Sequence, residues 1–230
     1  MRQPHQRTAP GNAAGDEAEA RLRILRAAER LIAAHGYAGA SLRTIMAEAE
    51  VNNASIHYYF GNKQALLRAI FDMRISAMNE ERDARFAEIE AAVGDGRPRT
   101  ADVLRAFIQP AIRRARQSDG EFFNRVSALC SVDPDPAVRQ VVFDAYDQVS
   151  RRFTALLRRA CPHLSDQAFY WRLHCVYGSM MYIRSDNGRV AHLLGELGEA
   201  FAGQANEELI AVLTAGLDAP AVAPAAEARP

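Results

Sequence analysis

Apolar residues recur along most of this chain at three- and four-residue intervals, the repeat of a helix that buries one face. From about Asp16 to His35 the stripe is Leu22, Leu25, Ala28, Leu31 and Ile32, and Gly36 follows as a residue able to end the helix. Ser41 is placed to cap a second helix whose apolar face is Leu42, Ile45, Met46 and Ala49. A short third helix is expected over about Asn53–Tyr59. Asn62 then caps a long fourth one, through Leu66, Leu67, Ile70, Phe71 and Ile75 toward Val93. Gly94-Asp95-Gly96-Arg97-Pro98 breaks the chain there. Thr100 starts a helix through Leu104, Phe107 and Ile108, with a kink expected at Pro110, which lacks an N–H and crowds the preceding turn. A further helix covers about Glu121–Ser131. Asp135 and Pro136 are the cap and first position of the next, which reaches Ala160 before Cys161-Pro162. Ser165 caps one through Arg184. After Gly188, Gly195, Gly198 and Gly203, a last helix spans about Asn206–Ala215.

No sustained period-two alternation and no hairpin turn between β-branched runs accompanies these helices, so the fold class is all-α. Residues 1–16 mix Pro, Gly, Gln and Asn without apolar periodicity and read as a disordered arm. The tail 218–230 is Ala/Pro-rich low complexity and reads the same way.

With 230 residues the chain can bury a substantial core. Its 28 basic and 28 acidic residues balance, which excludes a polybasic coat but not DNA binding, because the two signs are unevenly spread. Between residues 20 and 75, Arg21, Arg23, Arg26, Arg30, Arg43, Lys63, Arg68 and Arg74 face only Glu29, Glu48, Glu50 and Asp72. Cys130, Cys161 and Cys175 form no CxxC pair and read as small core residues in a reducing compartment. No apolar run reaches the ~20 residues of a membrane span and no secretory leader is visible, so a soluble cytoplasmic protein is expected.

Residues 41–67 concentrate the chemistry. An isolated helix as short as Asn53–Tyr59 does not persist in water, so it must pack on its neighbours through Ile56 and Phe60 and turn its polar side chains outward. Asn52, Asn53, Ser55, His57 and Tyr58 then form a set suited to base edges in a major groove. Lys63, the only lysine of the chain, stands at the mouth of the long helix, where backbone N–H groups and a cation together grip a phosphate. A solvated polar turn in a helical bundle is the plainer reading of the same residues.

The stretch resembles the N-terminal module of the tetracycline-repressor (TetR) family. There a threonine or serine opens the second helix, a Gly-Val turn leads into the third, an aromatic box closes it, and a lysine follows. Ser41, Val51, Ile56-His57-Tyr58-Tyr59-Phe60 and Lys63 match this pattern, as does the His35-Gly36-Tyr37 ending of the first helix. Glu50 departs from it, standing where the family has glycine, and His57 and Tyr59 exchange the usual Tyr and His. The resemblance implies an N-terminal helix-turn-helix DNA-binding domain over 17–64 and a C-terminal helical ligand-binding and dimerisation domain over 65–217. Arg43, Thr44, Asn52, Asn53, Ala54, Ser55, His57, Tyr58, Tyr59 and Lys63 would contact DNA. It also implies a homodimer through the helices at about 165–184 and 206–215.

The C-terminal residues independently supply a cavity. Phe107, Phe122, Phe123, Val126, Phe143, Tyr146, Trp171, His174, Tyr177 and Met181, with Met180, are the broad aromatic and Met-rich walls a small-molecule site uses, although the same residues equally fill a plain core. Phe169, Leu173, Val176, Met180 and Ile183 make one apolar face of helix 165–184, and Trp171, Cys175, Gly178 and Tyr182 make another. A helix apolar on two sides is buried on two sides, one against a partner chain. One of Arg113, Arg114, Arg125 and Arg172 could anchor a carboxylate. His174 has no second ligand at metal spacing, and no catalytic triad order, phosphate loop or HExxH is present. No cofactor, metal or catalytic residue is therefore expected.

The reading is a ligand-responsive regulator, a repressor released from palindromic double-stranded operator DNA by a hydrophobic or amphipathic effector. Two alternatives stand beside it: an all-α carrier or enzyme without DNA binding, and a DNA-binding regulator controlled by a protein partner. The Val51-Asn52 opening and the aromatic box are also similar to those of regulators of fatty-acid metabolism. Fatty acyl compounds, aromatic acids and steroid-like molecules all stay compatible with the cavity.

Overall fold

The computed structural model describes residues 13–52, 58–115, 121–185, 187–197 and 205–222, and among them every regular element is a helix. Most of the expected recognition helix, Asn53, Ala54, Ser55, Ile56 and His57, lies outside the described residues, as do most of the expected arm and the end of the tail. The helices are α1 (Ala13–Gly39), α2 (Leu42–Glu48), α3 (Lys63–Val93), α4 (Thr100–Ala115), α5 (Glu121–Ser131), α6 (Pro136–Ala160), α7 (Asp166–Ser185), α8 (Arg189–Leu194) and α9 (Ala205–Asp218). The chain divides into two compact units, residues 1–71 and 72–230.

Local chemistry sets the ends of these helices. Gly36 interrupts α1 with φ 73° and ψ 169°, a conformation that side chains disfavour. Ser41 Oγ accepts from the Thr44 N–H at 3.1 Å, and Asn62 Oδ1 accepts from the Ala65 N–H at 2.8 Å. Asp135 caps α6 through the Ala137 N–H at 2.8 Å, with Pro136 at the first position. Ser165 Oγ accepts from the Ala168 N–H at 3.2 Å. The helix α4 continues through Pro110. The connection after Gly188 holds a short helix, α8, that the glycine spacing did not reveal.

In the first unit, Ile24, Leu25, Ala27, Ala28, Ile32 and Ala33 of α1 are buried with Ile45 and Met46 of α2 and Leu66, Leu67, Ile70 and Phe71 of α3. Leu22 and Leu31 are only half-buried, so the inner face of α1 is turned toward Ile24 and Ala27, and Glu29 lies on it at 1 % exposure. Two contacts clamp α1 to the end of α2: Arg30–Glu48 at 2.8 Å, and Arg23 Nε donating to the Ala49 carbonyl at 3.2 Å.

In the second unit α4 packs on α6 and α9, and α5 on α6 and α7. The core is an aromatic stack. Phe107 lies on Phe153 at 4.0 Å and 10°, and Tyr177 meets both edge-on at 6.1 and 6.3 Å. Arg152 ties α6 to α3 through Asp83 at 3.0 Å and Glu90 at 2.6 Å. The start of the tail is pinned rather than loose. Arg172 donates to the Leu217, Ala219 and Pro220 carbonyls, and Asp218 accepts from the Thr100 hydroxyl at 2.6 Å. Cys130 and Cys161 are buried core thiols, whereas Cys175 is exposed because it stands on the outer side of α7.

Glu50 is the one non-glycine residue with positive φ among the described residues, at 55°. Left-handed backbone costs a side-chain-bearing residue about 1–2 kcal/mol, and asparagine tolerates it better than glutamate. Glu50→Asn is expected to stabilise the first unit by about 0.5–1 kcal/mol in a denaturant titration. A lower unfolding midpoint would contradict the strain.

Candidate DNA interface and effector cavity

The helix α2 presents Arg43 and Thr44 to solvent on the side opposite Ile45 and Met46. Arg43 has no polar partner among the described residues. The Thr44 hydroxyl instead serves the cap, donating to the Ser41 carbonyl at 2.8 Å. Asn52 is exposed. Beyond the undescribed 53–57, Tyr58 is 73 % exposed, with Tyr59 half-buried against it edge-on at 5.1 Å. A hydrogen bond to the Glu17 carboxylate, and its charge, push the Tyr58 phenol above its usual range. The hydroxyl is therefore a neutral donor at any physiological pH.

Lys63 is more constrained than a surface phosphate grip requires. Its half-buried ammonium donates to the Tyr37 carbonyl and lies 4.2 Å from the Tyr37 ring centroid. It thus fastens the start of α3 to the end of α1, just past the Gly36 break. An ammonium carries three donors, so this role is compatible with a phosphate contact.

The second unit holds a partly open cavity of about 430 Å³, in the range of small-molecule sites. Of the expected lining residues, Phe107 of α4, Phe143 and Tyr146 of α6, and Tyr177 and Met181 of α7 reach it, with Met180 beside them. The others do not. Phe123 and Val126 are buried on another side of α5, because the face toward the cavity carries Ser127, Ala128 and Ser131. Phe122 is 40 % exposed. Trp171 and His174 stand on the outer side of α7, 5.5 Å apart, with the His174 ring 4.4 Å from Tyr170. Val142, Asp147 and Ser150 of α6 complete the wall.

The charged groups of the cavity are not those expected. Arg113 reaches Glu81, Arg125 is solvated, Arg172 holds the tail, and the Arg114 side chain lies outside the described residues. Arg82 of α3 and Arg184 of α7 enter instead. Arg82 stands in the run Glu80-Glu81-Arg82-Asp83, which reads as a solvated face, so its burial had no signal in the sequence. Ser127 and Ser131, four apart, were the one legible hint of a polar stripe on α5.

The outer face of α7 exposes Tyr170, Trp171, Cys175, Gly178 and Tyr182, and α9 exposes Val212 at 67 %. No helix of the described residues is long and apolar enough to cross a membrane.

Known proteins place these features. Residues 24–70 match the family described as bacterial regulatory proteins, tetR family, and residues 105–216 match the tetracyclin repressor-like C-terminal domain. Together they account for more than two-thirds of the chain, which belongs to the TetR family of DNA-binding transcriptional regulators. Its members respond to small molecules through the C-terminal domain. No curated protein sequence matches the chain. Among solved structures, the fatty acid degradation regulator FadR from Bacillus halodurans has a TM-score of 0.61 at 16 % identity, covering 93 % of this chain and 99 % of that one. FadR from Bacillus subtilis, in complex with stearoyl-CoA, gives 0.56 at 15 %, covering 85 % and 98 %. The hemolysin II regulator HlyIIR gives 0.58 at 16 %, covering 80 % and 97 %. At these identities the likeness is one of fold.

Lys63→Met removes a charge-assisted hydrogen bond and a cation–π contact together. It is expected to lower stability by about 1.5–3 kcal/mol. Chemical denaturation of the variant checks this; an unchanged midpoint would limit Lys63 to a surface role.

Proposed function

We propose that the protein is a homodimeric repressor released from palindromic operator DNA by a ligand in the cavity of its second unit. The observation that carries this reading is the helix α3. Its first turn holds Lys63 beside the reading segment, and the same continuous helix delivers Arg82 to the cavity wall. A ligand that shifts Arg82 therefore acts on the element that carries the reader. Release requires the ligand to bind the DNA-incompetent arrangement better than the competent one.

Arg43, Asn52, Asn53, Ala54, Ser55, His57, Tyr58 and Tyr59 are the proposed DNA contacts, with Thr44 contributing less because its hydroxyl serves the cap. The exposed apolar face of α7, with Val212 of α9, supports pairing with a second copy, since a monomer rarely leaves such a contiguous surface to water. Two readers related by a two-fold axis would address half-sites one helical turn apart, ~34–36 Å. The cavity favours a small molecule over a protein partner as the controlling input.

Selection from a random duplex library, followed by native mass spectrometry of the complex, tests the reading. An enriched inverted repeat bound by a dimer is expected, with Tyr58→Ala and Arg43→Ala each weakening binding about tenfold or more. A pool without enrichment, or a monomer on the DNA, would sink it.

A further inference from the structure

Among the described residues, the two arginines of the cavity have only neutral hydrogen-bond partners. Arg82 is 1 % exposed. Its Nε donates to the Phe107 carbonyl at 2.9 Å, its Nη1 donates to Asn79 Oδ1 at 3.3 Å, and its plane lies 4.4 Å from the Phe107 ring centroid. All of these partners are neutral. Arg184 enters from α7, with Nε on Asn124 Oδ1 at 3.0 Å and Nη2 on the Tyr146 hydroxyl at 3.4 Å. Neither arginine has a carboxylate within ion-pair distance among the described residues. Asp147, the one carboxylate on the wall among the described residues, is exposed and committed to Arg151 at 2.8 Å. Glu81, next to Arg82, is taken by Arg85 and Arg113.

A half-buried guanidinium, Arg184, beside a fully buried one, Arg82, adds repulsion to the hydration that Arg82 has lost. Burial, with Arg184 adding to it, lowers the pKa of Arg82 to about 10. Burial alone would raise the Tyr146 phenol, yet Arg184 and Arg82 outweigh it and hold the phenol below its ordinary value. The Tyr146 shift reports a positive field at its hydroxyl, and the Arg82 shift reports chiefly the loss of water around its guanidinium. An anion there would relieve the repulsion and restore a full partner to Arg82.

We propose that the effector is an apolar carboxylic acid whose carboxylate bridges Arg82 and Arg184, with Tyr146 and Ser127 offering hydroxyls beside it. The hydrocarbon part lies against Phe107, Val142, Phe143, Tyr177, Met180 and Met181. The proposal rests on the cavity being the effector site. A monoanion suits the site better than a phosphate, because desolvation of a doubly charged group in an apolar enclosure rises steeply with charge. A thioester or ester of the same acid presents no charge and would leave both guanidiniums as they are. The ligand is thus the free acid.

Calorimetric titration of the full-length protein tests this with straight-chain carboxylates from octanoate to hexadecanoate, naphthoate, the methyl esters of each, and dodecyl phosphate. At least one carboxylate is expected to bind about tenfold or more tightly than its ester and than the phosphate. Arg82→Met and Arg184→Met should each weaken that carboxylate about tenfold while leaving ester binding unchanged. Straight-chain and aromatic acids distinguish the shape of the apolar part, and binding of either supports the head group. Equal binding of acids and esters, preference for the phosphate, no binding by any acid, or wild-type affinity in the variants would overturn the proposal. Should Arg82→Met fail to fold, Arg184→Met carries the same test. DNA enrichment by the same preparation is scored separately, so loss of carboxylate binding with intact operator selection counts against the head group alone.

Discussion

A guanidinium cannot shed its charge at neutral pH, so an arginine withdrawn from water must be held by everything around it. Arg82 meets that demand through backbone and rings rather than through an acid. Its bond to the Phe107 carbonyl joins α3 to α4, in the stretch of α4 just ahead of Pro110. Phe107 in turn lies on Phe153 of α6, and Tyr177 of α7 closes the stack. One buried cation therefore binds the helices that enclose the cavity, and it gives that cavity its sign. Packed interiors of this kind change by discrete rearrangement rather than by gradual yielding. A ligand that repartners Arg82 has the means to select one arrangement over another.

The first unit depends on a different economy. A reading helix of a few residues cannot persist unless its supports are rigid. The elements on either side of residues 53–57 are held locally, by the Ser41 and Asn62 caps, the Arg30–Glu48 and Arg23–Ala49 clamps, and Lys63 fastened to Tyr37. Glu50 accepts positive φ in the turn before the reader, where glycine would do so without strain. Across this turn the Val51 N–H bonds back to the Met46 carbonyl at 3.2 Å.

What could be read from the chain follows from range. Caps, proline starts and glycine stops act over a few residues, so the ends of α2, α3, α5 and α6 were legible at Ser41, Asn62, Ser131 and Asp135-Pro136. The inner face of α1 was less so, because a helix buried by two neighbours includes Ile24, Ala27 and even Glu29 beside the simple stripe. The short helix α8 hid between Gly188 and Gly195, its Leu193 and Leu194 exposed rather than periodic against a core. In the cavity, bulky Phe107, Phe143, Tyr146, Tyr177 and Met181 announced themselves. Arg82 and Arg184 did not, since their burial depends on tertiary neighbours and their residue type is that of a solvated face. Trp171 and His174 show the converse error: aromatic character signals burial, but not whether core or partner provides it.

The central claim is that the cavity and the DNA reader are coupled through α3. Reciprocity makes it directly measurable, because a ligand that weakens DNA binding must itself be weakened by DNA to the same extent. Fluorescence anisotropy of a selected operator duplex, titrated with protein at several concentrations of the tightest-binding carboxylate, gives one factor. Calorimetry of that carboxylate against free and DNA-bound protein gives the other. The account predicts two equal factors, each between about 5 and 150. Operator affinity that ignores a saturated cavity would contradict it.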